Sequence, residues 1–164
     1  MKTLVTYMSM SGNTKKVAEA IYGALEGEKE LSRAQDVLDW SQYDLVFMGF
    51  PTHAAGPDGK ARRVLAEKAP GHKVALFTTH GSPAGSEMAL AAAEGFRQAC
   101  TDADVLGVFE CQGRIAPPVK LIMRFAPDPE IKKGARLKDD ATHPDAADLA
   151  RAAVWAREVV ALAA

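Results

Sequence analysis

The sequence predicts an α/β protein built on one doubly wound, open sheet of about five parallel strands with helices on both faces, and three observations carry that prediction. Apolar runs rich in Val, Leu and Phe alternate along the chain with stretches whose apolar residues recur at helical spacing. The runs are apolar throughout rather than every second residue, as parallel strands covered on both faces require. The first run leads through a polar, glycine-containing loop directly into a helix, the order of a strand-helix-strand unit with a right-handed crossover.

Residues 2–8 form the first strand, and the helix behind it places Val17, Ala20, Ile21, Ala24 and Leu25 on one face. Residues 28–43 must then supply a second strand, a helix and the return connection, although a crossover alone needs at least about ten to twelve residues. A shortened unit is expected there: a very short strand near Glu30-Leu31 and one or two helical turns between Gln35 and Trp40. Further strands fall at 44–49, 73–79 and 105–111. Ala61, Val64 and Leu65 mark a short helix, and Ala89, Ala92, Ala93, Phe96 and Ala99 a longer one. Pro144 suits the first turn of a last helix that carries Leu149, Ala153, Ala156 and Val160 inward.

A chain of 164 residues, 48% of them apolar, fits a single domain over residues 1–164 with a full core. No apolar run is long enough to span a bilayer and the first residues read as a strand, so a soluble, cytoplasmic protein is expected. Cys100 and Cys111 form no Cys-x-x-Cys pair and are expected only to pack. A net charge of −1 and the lack of any recognition motif exclude a general nucleic-acid binder.

The richest local signal is Ser9-Met10-Ser11-Gly12-Asn13-Thr14, between the first strand and its helix. Hydroxyl and amide side chains around one Gly let successive backbone N–H groups point at a single anion, and the helix dipole adds to their pull. Lys15 and Lys16 oppose that dipole in the first helical turn unless an anion sits there. On this loop alone, a plainly capped turn with two solvated lysines remains the equal alternative. Two more loops follow later strands, Phe50-Pro51-Thr52-His53-Ala54-Ala55-Gly56-Pro57 and His80-Gly81-Ser82-Pro83. A cofactor at the C-terminal edge of a parallel sheet is touched by several such loops.

With these three loops in order, the chain resembles the flavodoxin family. Residues Ser9 to Thr14 are similar to that family's Thr/Ser-x-Thr/Ser-Gly-Asn-Thr phosphate signature, and Gly49-Phe50-Pro51-Thr52-His53 to its Gly-x-Pro-Thr-aromatic flavin loop. The likeness runs from residue 1 to about Gly113 and weakens until the final helix. It implies the strand order 2-1-3-4-5, with FMN at the switch point beside the first strand, a rule for which flavodoxins are themselves a type example. It also implies site roles: Ser9, Ser11, Gly12, Asn13 and Thr14 around the phosphate, with Met10 supplying a backbone N–H. Pro51, Thr52, His53, Ala54 and Gly56, with Thr79, His80, Gly81 and Ser82, would bracket the isoalloxazine ring. His53 stands where the family commonly stacks Trp or Tyr, and His80 lies in the other flavin loop; each either contacts the flavin or hydrogen-bonds its own loop. A His beside the reduced flavin would make the potential rise as pH falls through about 6.5.

No Ser-His-Asp order, paired carboxylate or metal-binding His spacing appears, so no catalytic or metal-ligating residue is assigned, and Glu110 and Cys111 are read as strand packing. The resemblance implies an electron-transport flavoprotein that shuttles electrons between redox partner proteins. The alternative is a flavodoxin-fold FMN oxidoreductase acting on a small substrate, similar to quinone-dependent protoporphyrinogen oxidase. That group also carries an extra apolar and basic segment before its last helix. A binding module that has lost its cofactor is a third reading, against which the intact phosphate loop argues.

The segment 114–142 departs from the regular pattern. Pro117, Pro118, Pro127, Pro129 and Gly134 break up any long element. Between Arg114 and Lys138 seven Lys or Arg face only Asp128 and Glu130, a local charge of +5 on a chain whose remainder carries −6. The run Val119 to Phe125 is expected to pack over the sheet edge in preference to docking. If it docks, its charge would steer an acidic partner or anionic substrate to the 114–138 stretch.

Overall fold

Five strands form a parallel sheet in the order β2-β1-β3-β4-β5: β1 (Thr3–Tyr7), β2 (Lys29–Arg33), β3 (Leu45–Pro51), β4 (Lys73–His80) and β5 (Asp104–Gln112). This computed structural model describes residues 1–53, 56–129, 132, 135 and 142–164. Among them five helices stand out: α1 (Asn13–Ala24), α2 (Gly59–Lys68), α3 (Glu87–Ala99), α4 (Pro117–Arg124) and α5 (Ala146–Ala163). The expected fold class and strand order are those observed.

The strand pleat sorts the core into two layers. Val5, Leu45, Phe47, Ala75 and Phe77 face Val17, Ala18 and Ile21 of α1 and Ala152, Ala156 and Val159 of α5. Leu4, Val46, Met48, Phe50, Val74 and Leu76 face Ala61 and Leu65 of α2 and Phe96 of α3. Trp155 of α5 packs edge-on to Phe47 and is stacked on Phe109, at centroid distances of 5.6 and 5.4 Å. Cys100 and Cys111 are buried as expected, and burial pushes their thiols up to about 11 and about 12, so both stay protonated at neutral pH. No helix among the described residues is long and apolar enough to cross a membrane.

Four sequence expectations need correction. β2 is five residues long, the same as β1, and no helix follows it; residues 34–36 turn, with the Asp36 N–H donating to Arg33 O at 3.0 Å. The connection is too short for a helix and two returns, and Val37, Trp40 and Tyr43 cover Leu4 and Val46 in its place. The last helix starts at Ala146, after Pro144, because Asp145 is its N-cap. Its fully buried residues are Asp148, Ala152, Ala156, Val159 and Ala163; Leu149 and Val160, half-buried, pack against the same core as expected, and Ala153 is half-buried. Lastly, Val119 to Phe125 do not pack over the sheet edge: they lie in and just beyond α4, which buries none of its residues.

Asp148 is buried and over-determined. Its carboxylate accepts from Arg151 Nη2 at 2.7 Å, from the Asp145 N–H at 3.1 Å and from His143 Nδ1, while the Asp145 side chain caps the Asp148 N–H at 2.9 Å. These contacts make His143, Asp145 and Asp148 a capping network at the start of α5. Burial pushes the Asp148 carboxyl up, but the hydrogen bonds from His143, Arg151 and the Asp145 N–H outweigh it and hold the group below its ordinary range. A depressed carboxyl stabilises the fold above its unfolded value, about 3.9, and the benefit is lost as pH falls through the folded value. Asp148→Asn is therefore expected to cost about 1–3 kcal/mol at pH 7, with the gap to wild type closing below about pH 4. Urea unfolding across that range checks it; a gap constant with pH would show that the charge is irrelevant.

Candidate functional site

Because every strand runs in the same direction, the loops after β1, β3, β4 and β5 converge on one edge of the sheet. The loop after β1 brings α1 to that edge with its N-terminus open. Gly12 is the N-cap, in the left-handed region at φ +89°, and no side chain caps the helix. In contrast, α2, α3 and α5 are capped by the side chains of Asp58, Ser86 and Asp145, and α4, which also lacks a side-chain cap, opens on Pro117 and Pro118, which have no N–H to offer. The first turn of α1 holds no acid and carries exposed Lys15 and Lys16, of which Lys15 lies 3.6 Å from Glu19 one turn on. The N–H groups of a first helical turn have no intrahelical acceptor, so the start of α1 presents backbone donors at this edge.

Ser9 Oγ accepts from the Gly12 N–H at 3.1 Å and shapes the turn, leaving Ser11 and Met10 at the surface, Met10 88% exposed. Asn13 Nδ2 donates to Arg114 O at 2.8 Å and so ties the phosphate-type loop to the segment after β5. Gly113 makes that tie sterically feasible, since a Cβ there would lie 2.7 Å from Asn13 Nδ2. Thr14 is buried, and its Oγ1 is 2.9 Å from Thr79 Oγ1, which locks the start of α1 to the end of β4.

The loop after β3 is held to β4 by backbone and hydroxyl contacts. The Thr52 N–H donates to Thr79 O at 2.8 Å, and Thr52 Oγ1 is 2.6 Å from Thr78 Oγ1. Pro51 is half-buried at the strand end; beyond it His53 and Gly56 exchange backbone hydrogen bonds of 3.1 and 3.3 Å. Ala54, an expected flavin-side residue, lies outside the described residues. The His53 ring is half-exposed, with Nε2 3.7 Å from Asp58.

His80 is buried at the end of β4 with both ring nitrogens engaged. Nδ1 is 3.0 Å from Ser82 O, a group that can only accept, so Nδ1 carries a proton and donates. Nε2 lies 2.5 Å from Glu110 Oε2, and Glu110 Oε1 accepts from the Gly85 N–H at 2.8 Å. Burial pushes the Glu110 carboxyl up, and the hydrogen bonds from His80 and Gly85 more than offset it, holding it below its ordinary value. Glu110 was read from the sequence as strand packing; it is instead the post to which the 81–85 loop is fastened. The signal available was one acid inside the apolar run 105–111. Ser82 is also buried, its Oγ donating to Met88 Sδ at 3.1 Å. Gly81 lies under Ile115, whose Cδ1 would be 2.4 Å from an added Cβ.

A cleft of about 210 Å³ opens beside the phosphate-type loop, lined by Ser11, Asn13, Arg114, Ala116 and Pro117. The larger groove, about 460 Å³, lies at the opposite edge against Tyr43, Asp44 and His72, far from the converging loops, and the chemistry points to the smaller one. The sequence assigns no place in the cofactor site to Gly113, Arg114 or Ile115, because they stand where the resemblance fades.

Comparison with known proteins agrees with this geometry. A family model described as the flavodoxin domain matches residues 4–157. The flavodoxin-like domain-containing protein BilS of Clostridioides difficile (strain CD3) is 30% identical over 171 residues, covering 98% of this chain and 97% of BilS. A flavodoxin from the domain Archaea superposes with a TM-score of 0.61 at 18% identity, covering 99% of both chains. A flavoprotein from Lactobacillus acidophilus NCFM, solved in complex with FMN, gives a TM-score of 0.55 at 24% identity over 66% of this chain and 92% of its own. With nearly its whole length matched by the family model and its site-forming loops gathered on one sheet edge, the chain belongs to the flavodoxin family.

Proposed function

We propose that the protein binds one FMN and serves as a small electron carrier between redox enzymes. The observation that carries this is the open N-terminus of α1: it is uncapped and acid-free, has two lysines, and starts from a left-handed glycine, while α2, α3 and α5 are capped by their own side chains. A terminal phosphate supplies the missing acceptor. Ser9, Ser11 and Asn13 would hold it on the turn that Gly12 shapes, with the backbone N–H groups of Met10, Ser11 and Asn13 to Lys15. Pro51, Thr52, His53 and Gly56, with Thr79 to Ser82, would flank the ring. When bound, FMN supplies the redox chemistry; the chain binds it, orients it and sets its electrostatics.

Within that division of work, Glu110 and His80 fix the 81–85 loop at the sheet edge. His80 therefore acts through the loop it holds, and His53, half-exposed, is the His with a free approach to a ligand. The carrier reading is preferred to a substrate-converting oxidoreductase because α4, the extra element that would have to close over a substrate, buries none of its residues.

Purified protein titrated with FMN is expected to quench flavin fluorescence at one equivalent and to show little affinity for FAD, whose pyrophosphate continues beyond a closed cradle. Asn13→Leu, which removes the tie to Arg114, is expected to weaken FMN binding by about tenfold or more. A protein that takes up no added FMN, or an Asn13→Leu variant of unchanged affinity, would overturn the assignment.

A further inference from the structure

Helix α4 is an amphipathic element turned inside out. Pro118, Leu121, Ile122 and Phe125 fall at i, i+3, i+4 and i+7, the spacing of an apolar helical stripe, yet all four are exposed, Ile122 at 71% and Phe125 at 80%. Val119 adds to the patch at 47%. An apolar stripe of this spacing on a folded protein marks a face meant for a groove. Around it stand Arg114, Lys120 and Arg124, with exposed Lys132 beyond, and no acid occurs between Arg114 and Pro127.

The placement of α4 ties it to the site. Its lead-in residues contact the phosphate-type loop through the Asn13 to Arg114 hydrogen bond, cover Gly81 with Ile115, and wall the cleft at Ala116 and Pro117. Whatever docks on α4 therefore arrives at the sheet edge from which an electron would leave.

We propose that α4 and its flanking cations form the docking surface for an acidic redox protein, one whose contact face is an apolar groove rimmed by carboxylates. This rests on the electron-carrier reading above and names the class of partner for it. Charge complementarity selects this occupant: cations border the stripe, and the rest of the chain is net negative, so the basic pole faces the partner. A second copy docking on the same face would set Arg114, Lys120 and Arg124 against themselves.

The test uses haem proteins of opposite surface charge as probes, acidic cytochrome b5 and basic cytochrome c, with the FMN-loaded protein reduced and mixed by stopped flow. Wild type is compared with Ile122→Ser/Phe125→Ser and with Arg124→Glu/Lys132→Glu, all at exposed positions, each checked by circular dichroism and FMN uptake. At low ionic strength, transfer to cytochrome b5 is expected to outpace transfer to cytochrome c, to slow as salt is added, and to drop about tenfold in the charge-reversed variant. The serine pair is expected to slow transfer at high salt, where charge is screened, leaving the salt slope unchanged. Faster transfer to cytochrome c, or rates indifferent to both variants, overturns the proposal. So does stripe-dependent capture by phosphatidylglycerol vesicles without a preference for cytochrome b5, or concentration-dependent self-association abolished by the serine pair. Binding of dye-labelled cytochrome b5 to the flavin-free protein is measured in parallel. Docking can then fail while FMN binds, and FMN binding can fail while docking stands.

Discussion

Gly12→Val is expected to weaken FMN binding at least tenfold while leaving the protein folded. Gly12 sits at φ +89° with nothing within 4 Å of where a Cβ would be, so the substitution meets no neighbour and its whole effect is conformational. Left-handed backbone costs an ordinary residue about 1–2 kcal/mol and a β-branched one more. In the flavin-free protein the loop escapes that cost by shifting, which is why stability changes little. Binding must restore the original turn, in which Gly12 caps α1 and presents its N–H to Ser9 Oγ, and the strain then appears as lost affinity. About 1.4 kcal/mol corresponds to tenfold. Gly12→Asn, a residue that tolerates the left-handed region, is expected to recover most of the affinity. Fluorescence titration with a parallel urea unfolding curve separates the two effects; equal losses for Val and Asn would show that backbone conformation is not the cause.

Gly49→Ala is expected to be the most destabilising of the single changes discussed. Gly49 lies in β3 directly opposite Phe77 of β4, and an added Cβ would stand 2.1 Å from two carbons of the Phe77 ring. The ring is 1% exposed and surrounded by the core of the α1 and α5 layer, so it has nowhere to go. Overpacking of this kind costs about 1–3 kcal/mol and here falls at the upper end or beyond. Because Gly49 also leads into the loop that would flank the flavin, a shifted β3 is expected to loosen FMN binding as well. Phe77→Leu, which shortens the side chain, is expected to recover part of the stability in the double variant, a coupling that a double-mutant cycle in urea measures. Independent, additive losses would mean that the two residues do not share the strain.

Much of this architecture is legible one segment at a time. The strands at 44–49, 73–79 and 105–111 were readable because parallel strands buried on both faces are apolar throughout. The N-terminus of α1 was readable because turn chemistry is written within six residues, Ser9 to Thr14. The expected helix between β2 and β3 fails for a reason no local pattern expresses. Three side chains, Val37, Trp40 and Tyr43, cover the layer as well as a helix would, and propensity is a weak term beside that burial.

By itself the sequence determined the fold class, the strand order through its family signature, and the loops that meet at the sheet edge. Those properties depend on periodicity and on short motifs, both carried by neighbouring residues. Tertiary structure alone decided that His80 is fastened to Glu110, thirty residues away, that Asn13 is tied to Arg114, and that α4 keeps its apolar stripe in solvent. Each of these depends on which distant surface is left uncovered once the layers have packed. An amphipathic pattern specifies that a face is apolar, and only the arrangement of the other elements determines whether that face is buried within the chain or left for a partner.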